Sequence, residues 1–320
     1  MQQYPFLTKT KNLIRFCRHY GQQVLDDSFP ADYAFSDRKS RFSVLKNPKT
    51  RPGPDECFSH FDIDARPFFD KLLGLDIELP GVAADRLQQC QWYSSINYYR
   101  SHIEEFFFLN GLRPLPPLEG ICHIFYAATD RLCMRYTLRN TSATELPLRI
   151  RLFSVPAQGQ EFCGDTFAQG FTFQLEQHVR ETYRALSSLT VNEIPCHFAF
   201  TDYQFTSDWV EISIDPHGCK EFTCTADFAL DVPWDCLSRQ SIAIDASEAF
   251  TGAMQESEAA YQRLPAISER FRAFEPLVFK AVGTLRSLRY LDVDCQGKPT
   301  PWCHKRIGSA EHGRISATGW

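Results

Sequence analysis

The sequence predicts a mainly β protein, a large antiparallel β-sandwich followed by a short α-helical segment. Three observations carry this reading. Between about residues 30 and 245, apolar and polar residues alternate through several short runs, the period of strands with one buried face. Turn residues punctuate those runs, with no helical stretches interleaved. Near residue 246 the apolar period changes to that of a helix. The 27 phenylalanines suit sheet packing, since aromatic side chains favour strands.

In chain order, DYAFSDRKSRFSVLKN fits two strands around Ser36–Asp37. Residues 66 to 105 leave two readings open. RPFFDKLLGLDIELPG fits a short helix and a strand, and Tyr93 to Phe108 fits either element. HIEEFFFLNGLRPLPPLEG then gives an apolar run and a proline-rich connection. The clearest stretch follows. In RLCMRYTLRN, Leu132, Met134, Tyr136 and Leu138 share one face, NTSATE supplies turn chemistry, and LPLRIRLFSV alternates through Leu148, Ile150 and Leu152. These two runs are expected to pair antiparallel, one face buried and one wet. GFTFQLEQ, YRALSSLTV and CHFAFTDYQF extend the series. Val210, Ile212 and Ile214 then alternate, Asp215-Pro216-His217-Gly218 turns the chain, and Phe222, Cys224, Phe228 and Leu230 continue. Ten or so antiparallel strands without intervening helices make a sandwich.

From Ala246, the residues Phe250, Met254, Tyr261 and Leu264 fall near one helical face, and Pro265 stops the helix. Glu275-Pro276 opens a second helix, with proline suited to the first turn. Its wide stripe of Leu277, Val278, Ala281, Val282, Leu285 and Leu288 needs cover on more than one side. Gly297, Pro299 and Pro301 end the regular structure, and the last dozen residues read as a tail without periodic pattern. The expected division is a sandwich domain over 1–246 and a helical segment with an irregular tail over 247–320.

Composition narrows the function classes. A net charge of -5 and a pI near 6.0, without a long basic stretch, argue against nucleic acid as a partner. No run reaches the roughly 18–20 apolar residues of a membrane helix, and the first residues lack the apolar run of a signal peptide, so no membrane partner and a cytoplasmic location are expected. None of the 12 cysteines forms a Cys-x-x-Cys pair, which favours reduced, buried cysteine over zinc or disulfides. Asn140-Thr141-Ser142 is a formal glycosylation acceptor that reads better as a turn. Gly-x-Ser-x-Gly, Gly-x-Gly-x-x-Gly and phosphate-loop patterns are absent. No cofactor and no metal are expected.

The order of a sandwich, an amphipathic linker helix and a buried helix followed by G-x-P-x-P-W-x-x-x-R (Gly297 to Arg306) resembles a group of inverting glycoside hydrolases. These are the debranching-enzyme, trehalase and α-glucosidase-like families, which carry an N-terminal β-sandwich before a barrel of six α-hairpins. The specific likeness lies in AYQRLPAI, LVFKAVGTLRSLRY and GKPTPWCHKR. It implies that residues 247–320 hold the linker and first helix of such a barrel. In those families a Trp-x-Trp-Asp run supplies the general acid, and a distant carboxylate serves as base. CHKRIGSAEHGRISATGW contains no such run. The chain is therefore expected to be the N-terminal part of a carbohydrate-active protein, not catalytic alone, with its catalytic residues unassigned. The alternative is a stand-alone sandwich that binds carbohydrate or a protein partner.

Trp302, His304 and Arg306, with Lys305 beside them, are the candidate sugar-binding residues, because an aromatic face with charged donors suits a sugar. The helix from Leu277 to Leu288 offers a surface for self-association. Asp62, Asp64, Asp70 and Asp130 read as exposed carboxylates, and Glu104-Glu105 as charges flanking a buried strand. His123 and His197, beside Cys122 and Cys196, read as satisfied sheet histidines, since a metal would need both pairs to converge. Trp92, Tyr93, Tyr98, Tyr99 and Trp209 could form an aromatic binding platform, although core packing is the commoner fate of such residues.

Overall fold

The computed structural model describes residues 42–44, 46, 50–55, 57–59, 67–99, 101–112, 116–128, 131–157, 162–163, 166–167, 170–176, 182–191, 194–195, 197–230, 245–263, 265–274, 292–293, 299–300, 306–307 and 315–316. Strands β1 (Phe42–Val44), β2 (Cys57–Ser59), β3 (Pro67–Glu78), β4 (Gln91–Tyr98), β5 (Ile103–Asn110), β6 (Leu118–Ala128), β7 (Arg131–Asn140), β8 (Leu146–Pro156) and β9 (Phe162–Cys163) come first. Next are β10 (Thr166–Phe167), β11 (Gly170–Glu176), β12 (Thr182–Val191), β13 (Ile194–Pro195), β14 (Phe198–Thr201), β15 (Gln204–Ser207), β16 (Val210–Ile214) and β17 (Cys219–Leu230). A short helix α1 (Ala84–Gln89) precedes β4, and helix α2 (Ala246–Gln262) follows the strands. One sheet runs β1-β2-β3-β8-β15-β14 with β16 also on β8; the other runs β10-β11-β12-β17-β7-β6-β5-β4 with β9 and β13 on β11 and β12. Of the stretch 66 to 105, open in sequence, the described residues form β3, α1, β4 and the start of β5, with turns between them.

The predicted alternation builds the core. Leu132, Met134, Tyr136 and Leu138 of β7 and Leu148, Ile150 and Leu152 of β8 are all buried in one cluster, together with Leu75 of β3, Phe107 of β5 and Ile124 of β6. Burying an aliphatic or aromatic side chain of this size contributes about 1.5–3 kcal/mol.

The expected pairing of β7 with β8 is not what forms. β7 pairs with β6 and β17 in one sheet, and β8 with β3, β15 and β16 in the other. Residues 141–145 therefore cross the sandwich instead of closing a hairpin. Both strands face one core, so alternation alone satisfies either arrangement; the edges of each strand are claimed by other partners. The 215–218 turn crosses in the same way from β16 to β17.

Asn140 ties these two crossings together. Its fully buried amide donates to the carbonyls of Thr144 (2.7 Å), Ile214 (3.1 Å) and Asp215 (3.1 Å), and its Oδ1 accepts from the backbone and hydroxyl of Ser142. His217 N donates to Ser142 O and Asn140 N to Gly218 O. The formal glycosylation acceptor is thus a structural turn.

Segment 50–55 is held against β3 where its pairing with β8 shifts register. Leu72, Leu73 and Leu75 donate backbone N–H groups to the carbonyls of Asp55, Pro54 and Pro52. Two buried lysines lock it. Lys71 Nζ lies 2.5 Å from Asp55 and donates to the carbonyls of Arg51 and Gly53; Lys46 Nζ lies 3.0 Å from Glu105 and 3.7 Å from Asp55. Glu105 also accepts from Ser94 Oγ (2.6 Å) and Gly53 N (2.9 Å). Gly53 has φ +101 and sits where a Cβ would meet Leu73 O at 2.2 Å, so glycine is required there. Glu105 is accordingly no flanking charge: it sits wholly buried in mid-strand, within a cluster of two cations and two anions. Burial alone would raise the Asp55 carboxyl, but Lys71 and Lys46 hold it below the usual range; burial brings Lys71 down to about 8.

Helix α2 lies on the outer face of the ten-stranded sheet. Asp245 caps it, accepting from Ser247 N and Glu248 N, and Phe250 and Met254 bury against Phe125 and Cys133. The helix ends before Pro265, as expected. The Leu277–Leu288 stripe lies outside the described residues. Near the C-terminus, Asp292–Val293 pairs with Pro299–Thr300, and Arg306–Ile307 with Ile315–Ser316.

Two outcomes follow for chemical denaturation. Asn140→Ala removes three hydrogen bonds to backbone carbonyls at the two crossings and should cost about 1–3 kcal/mol. Glu105→Gln removes the nearest carboxylate of the buried Lys46 and should cost about 3–5 kcal/mol, whereas its neighbour's change Glu104→Gln should stay within about 1 kcal/mol. Acid titration adds a signed expectation. The folded Asp55 carboxyl titrates below its unfolded value of about 3.9, so its contribution is complete above that pH and is lost as pH falls through the folded value. Stability should drop below about pH 4, and Asp55→Asn should flatten that limb.

Candidate functional site

The alternation of β5 sends successive glutamates to opposite faces of the sheet. Glu105 points into the core, and Glu104 shares the outer face with Phe106 and Phe108. Across β4, Tyr93 pairs with Phe108, their rings 5.1 Å apart; across β6, Ile121 lies opposite Phe106 and His123 opposite Glu104. An apolar strip with Tyr93 at 53% exposure thus runs along the outer face into a polar cluster.

The turn between β4 and β5 completes that cluster. Tyr99 N donates to His102 O, which closes the turn and stacks the Tyr99 and His102 rings at 4.5 Å. His102 meets the His123 ring edge-on at 5.5 Å, and Phe250 of α2 roofs both imidazoles at 4.8 Å. Tyr99 Oη donates to Glu104 Oε1 (3.3 Å), His123 Nε2 lies 3.5 Å from Glu104 Oε2, and His102 Nδ1 is 2.9 Å from Ser101 Oγ. Among the described residues, His102 Nε2 and His123 Nδ1 are buried and have no hydrogen-bond partner. Burial, then the neighbouring His123, hold His102 well below its ordinary value, so it is neutral near pH 7. Burial and then the Glu104 charge push the Tyr99 hydroxyl up, so it remains a donor. Among the described residues, one ligating atom from each of His102, Glu104 and His123 all lie within 4.8 Å of one another.

The outer face of the seven-stranded sheet has a different character. Arg149 and Arg151 stand over the Trp209 ring at 5.2 and 4.6 Å, pair with Glu78 and Asp76, and Asp76 also contacts Arg51. The indole is thereby engaged by its own sheet.

The sequence candidates scatter rather than converge. Trp92 packs on the core through Phe107, Tyr93 lies on the outer face, Tyr99 joins the histidines, and Trp209 sits on the other sheet. Asp70 is exposed on β3; Asp62, Asp64 and Asp130 lie outside the described residues. His197 is exposed beside β14, far in the topology from His123, and Cys196 lies outside the described residues, so the two His/Cys pairs are not what gathers ligating groups. Arg306 opens a two-residue strand, while Trp302, His304 and Lys305 lie outside the described residues. His102 and Glu104 were missed as a site. Their two-residue spacing is the available signal, and the third member, His123, comes from the next strand. Among the described cysteines, Cys57, Cys122, Cys133 and Cys224 are buried, as expected, and burial pushes the Cys57 and Cys122 thiols up.

No helix among the described residues is long and apolar enough to cross a membrane. No protein-family model matches the chain, and no curated protein matches it. Solved structures do. A human-microbiome protein assigned as a kojibiose phosphorylase is similar at 7% identity and TM-score 0.46, over 81% of this chain and 36% of that one. A protein assigned as an aldose 1-epimerase from Escherichia coli K12 is similar at 8% identity and TM-score 0.42, over 62% of this chain and 98% of that one. Another assigned so, from Klebsiella pneumoniae, is similar at 8% identity and TM-score 0.38, over 71% and 82%. The chain thus spans about a third of the length of the phosphorylase-assigned protein.

Proposed function

We propose that the chain is the N-terminal part of a carbohydrate-active protein related to inverting glycoside hydrolases, and that it contacts sugar without hydrolysing it. One observation carries the sugar contact: the partly exposed Tyr93, Phe106 and Phe108 strip runs directly into Glu104 on the same sheet face. An aromatic surface takes the apolar face of a pyranose, and a carboxylate at its end accepts from ring hydroxyls. The relation to inverting hydrolases rests on the resemblance of residues 261–306, and Trp302, His304 and Arg306 are the sugar-contacting residues it adds. The linker-helix part of that resemblance is compatible with α2, which follows the last sandwich strand and packs back onto the sandwich.

The reading that this chain does not hydrolyse sugar is supported by the placement of one pair of carboxylates. An inverting pair must flank one bond, about 6.5–9.5 Å apart. Glu104 and Glu105 point to opposite faces of the sheet, and Glu105 is bound by Lys46, Ser94 and Gly53. In this reading the Leu277–Leu288 helix is covered by further helices or by a second copy of the chain. The alternative, a stand-alone sandwich for a protein partner, predicts no sugar binding.

Calorimetric titration with a panel of α-glucosides and α-mannosides, with product analysis in parallel, tests this. Saturable binding is expected, weakened at least tenfold by Tyr93→Ala and reduced by Trp302→Ala or Arg306→Ala, with no sugar released. Absence of binding across the panel would overturn the sugar contact, and release of sugar would overturn the non-catalytic reading.

A further inference from the structure

We infer that His102, Glu104 and His123 form a binding site for a borderline divalent cation of the zinc class, open at one coordination position. The site shares Glu104 with the proposed sugar surface but does not rest on that reading. The first observation is convergence: two imidazoles and one carboxylate, from a turn and two adjacent strands, bring ligating atoms within 4.8 Å of one another. The second is an unmet demand. His102 is wholly buried, its Nδ1 is engaged by Ser101 Oγ at 2.9 Å, and its Nε2 has no partner among the described residues. A buried imidazole nitrogen without a partner costs free energy that a cation at that atom removes.

The surroundings match what such a ligand set needs. The Ser101 contact accommodates the tautomer in which Nδ1–H donates to Ser101 Oγ, and that tautomer puts the lone pair on Nε2, as a metal requires. Tyr99 holds Glu104 through Oε1, which leaves Oε2 on the side of His123. Two imidazole nitrogens and one carboxylate oxygen suit zinc or cobalt, and disfavour calcium or magnesium, which take oxygen sets. Ligand atoms around a tetrahedral zinc lie about 3.3–3.5 Å apart, given bonds of about 2.0–2.2 Å. The cluster would therefore draw in by about an ångström or more at its widest pair. Glu104 and His123 have side chains 25% and 19% exposed, so they can make that adjustment and leave a face of the ion to water. Phe250 and the Tyr99 ring close the other sides.

The test uses the full chain, stripped of metal with a chelator and titrated with zinc by calorimetry and with cobalt by visible absorption. One ion per chain is expected, with the intense ligand-field bands of low-coordinate cobalt and a zinc-dependent rise in Tm. His102→Ala and His123→Ala should each abolish the bands. Glu104→Gln, which alters only a partly exposed carboxylate, should weaken binding about 10–100-fold, and Ser101→Ala about 10-fold. Circular dichroism identifies any variant that fails to fold, and Glu104→Gln then carries the test. No saturable binding by the unaltered chain, or cobalt bands unchanged in Glu104→Gln and His123→Ala, would overturn the site.

Discussion

The polar architecture of this molecule depends on the register of one strand, β5. Along a strand, neighbouring residues face opposite ways, so Glu104 and Glu105 are committed to different environments. Glu105 enters the core and meets Lys46, Ser94 and the backbone of Gly53. Glu104 turns outward to Tyr99 and His123. A slip of one residue would bury Phe106 and Phe108 where Glu105 and Phe107 now lie, and would leave Lys46 in the core without its nearest carboxylate. Register is pinned from both sides, by eight paired residues with β4 and five with β6.

The buried ion cluster does more than neutralise charge. Two lysines and two carboxylates are costly to desolvate, and well-packed apolar residues would hold the same volume as well or better. What the cluster adds is placement. It fixes segment 50–55, whose carbonyls take the β3 N–H groups left over where the β3–β8 ladder shifts. Asn140 plays a similar part at the end of the sandwich where the two sheet crossings meet, converting four loose backbone carbonyls and donors into one joint.

How much of this was legible in sequence follows from what each pattern encodes. Period-two alternation marked β7, β8 and β16, and every residue named on their inner faces is buried. Alternation does not encode partners, so β7 and β8 were read as a pair although residues 141–145 carry the chain between sheets. RPFFDKLLGLDIELPG hid as a mixed segment because its apolar run, Leu72 to Leu75, is covered on both faces, which erases the alternation. Helix α2 was plain from Phe250 and Met254, and both are buried. The candidate site was largely illegible. Lys46 to Glu105 and Glu104 to His123 are contacts across strands and loops, set by register and by the turn at Tyr99–His102, and a lysine at position 46 carries no local sign that it will be buried.

The central physical claim is that β5 register delivers Glu105, and not Glu104, to the buried lysines. A double-mutant cycle measures this most directly. Replacing Lys46 by Met and Glu105 by Gln, singly and together, should give a coupling of about 1–3 kcal/mol, while the same cycle with Glu104→Gln should give a value within about 0.5 kcal/mol of zero. Equal coupling to both glutamates, or none to Glu105, would contradict the register and the two polar clusters built on it.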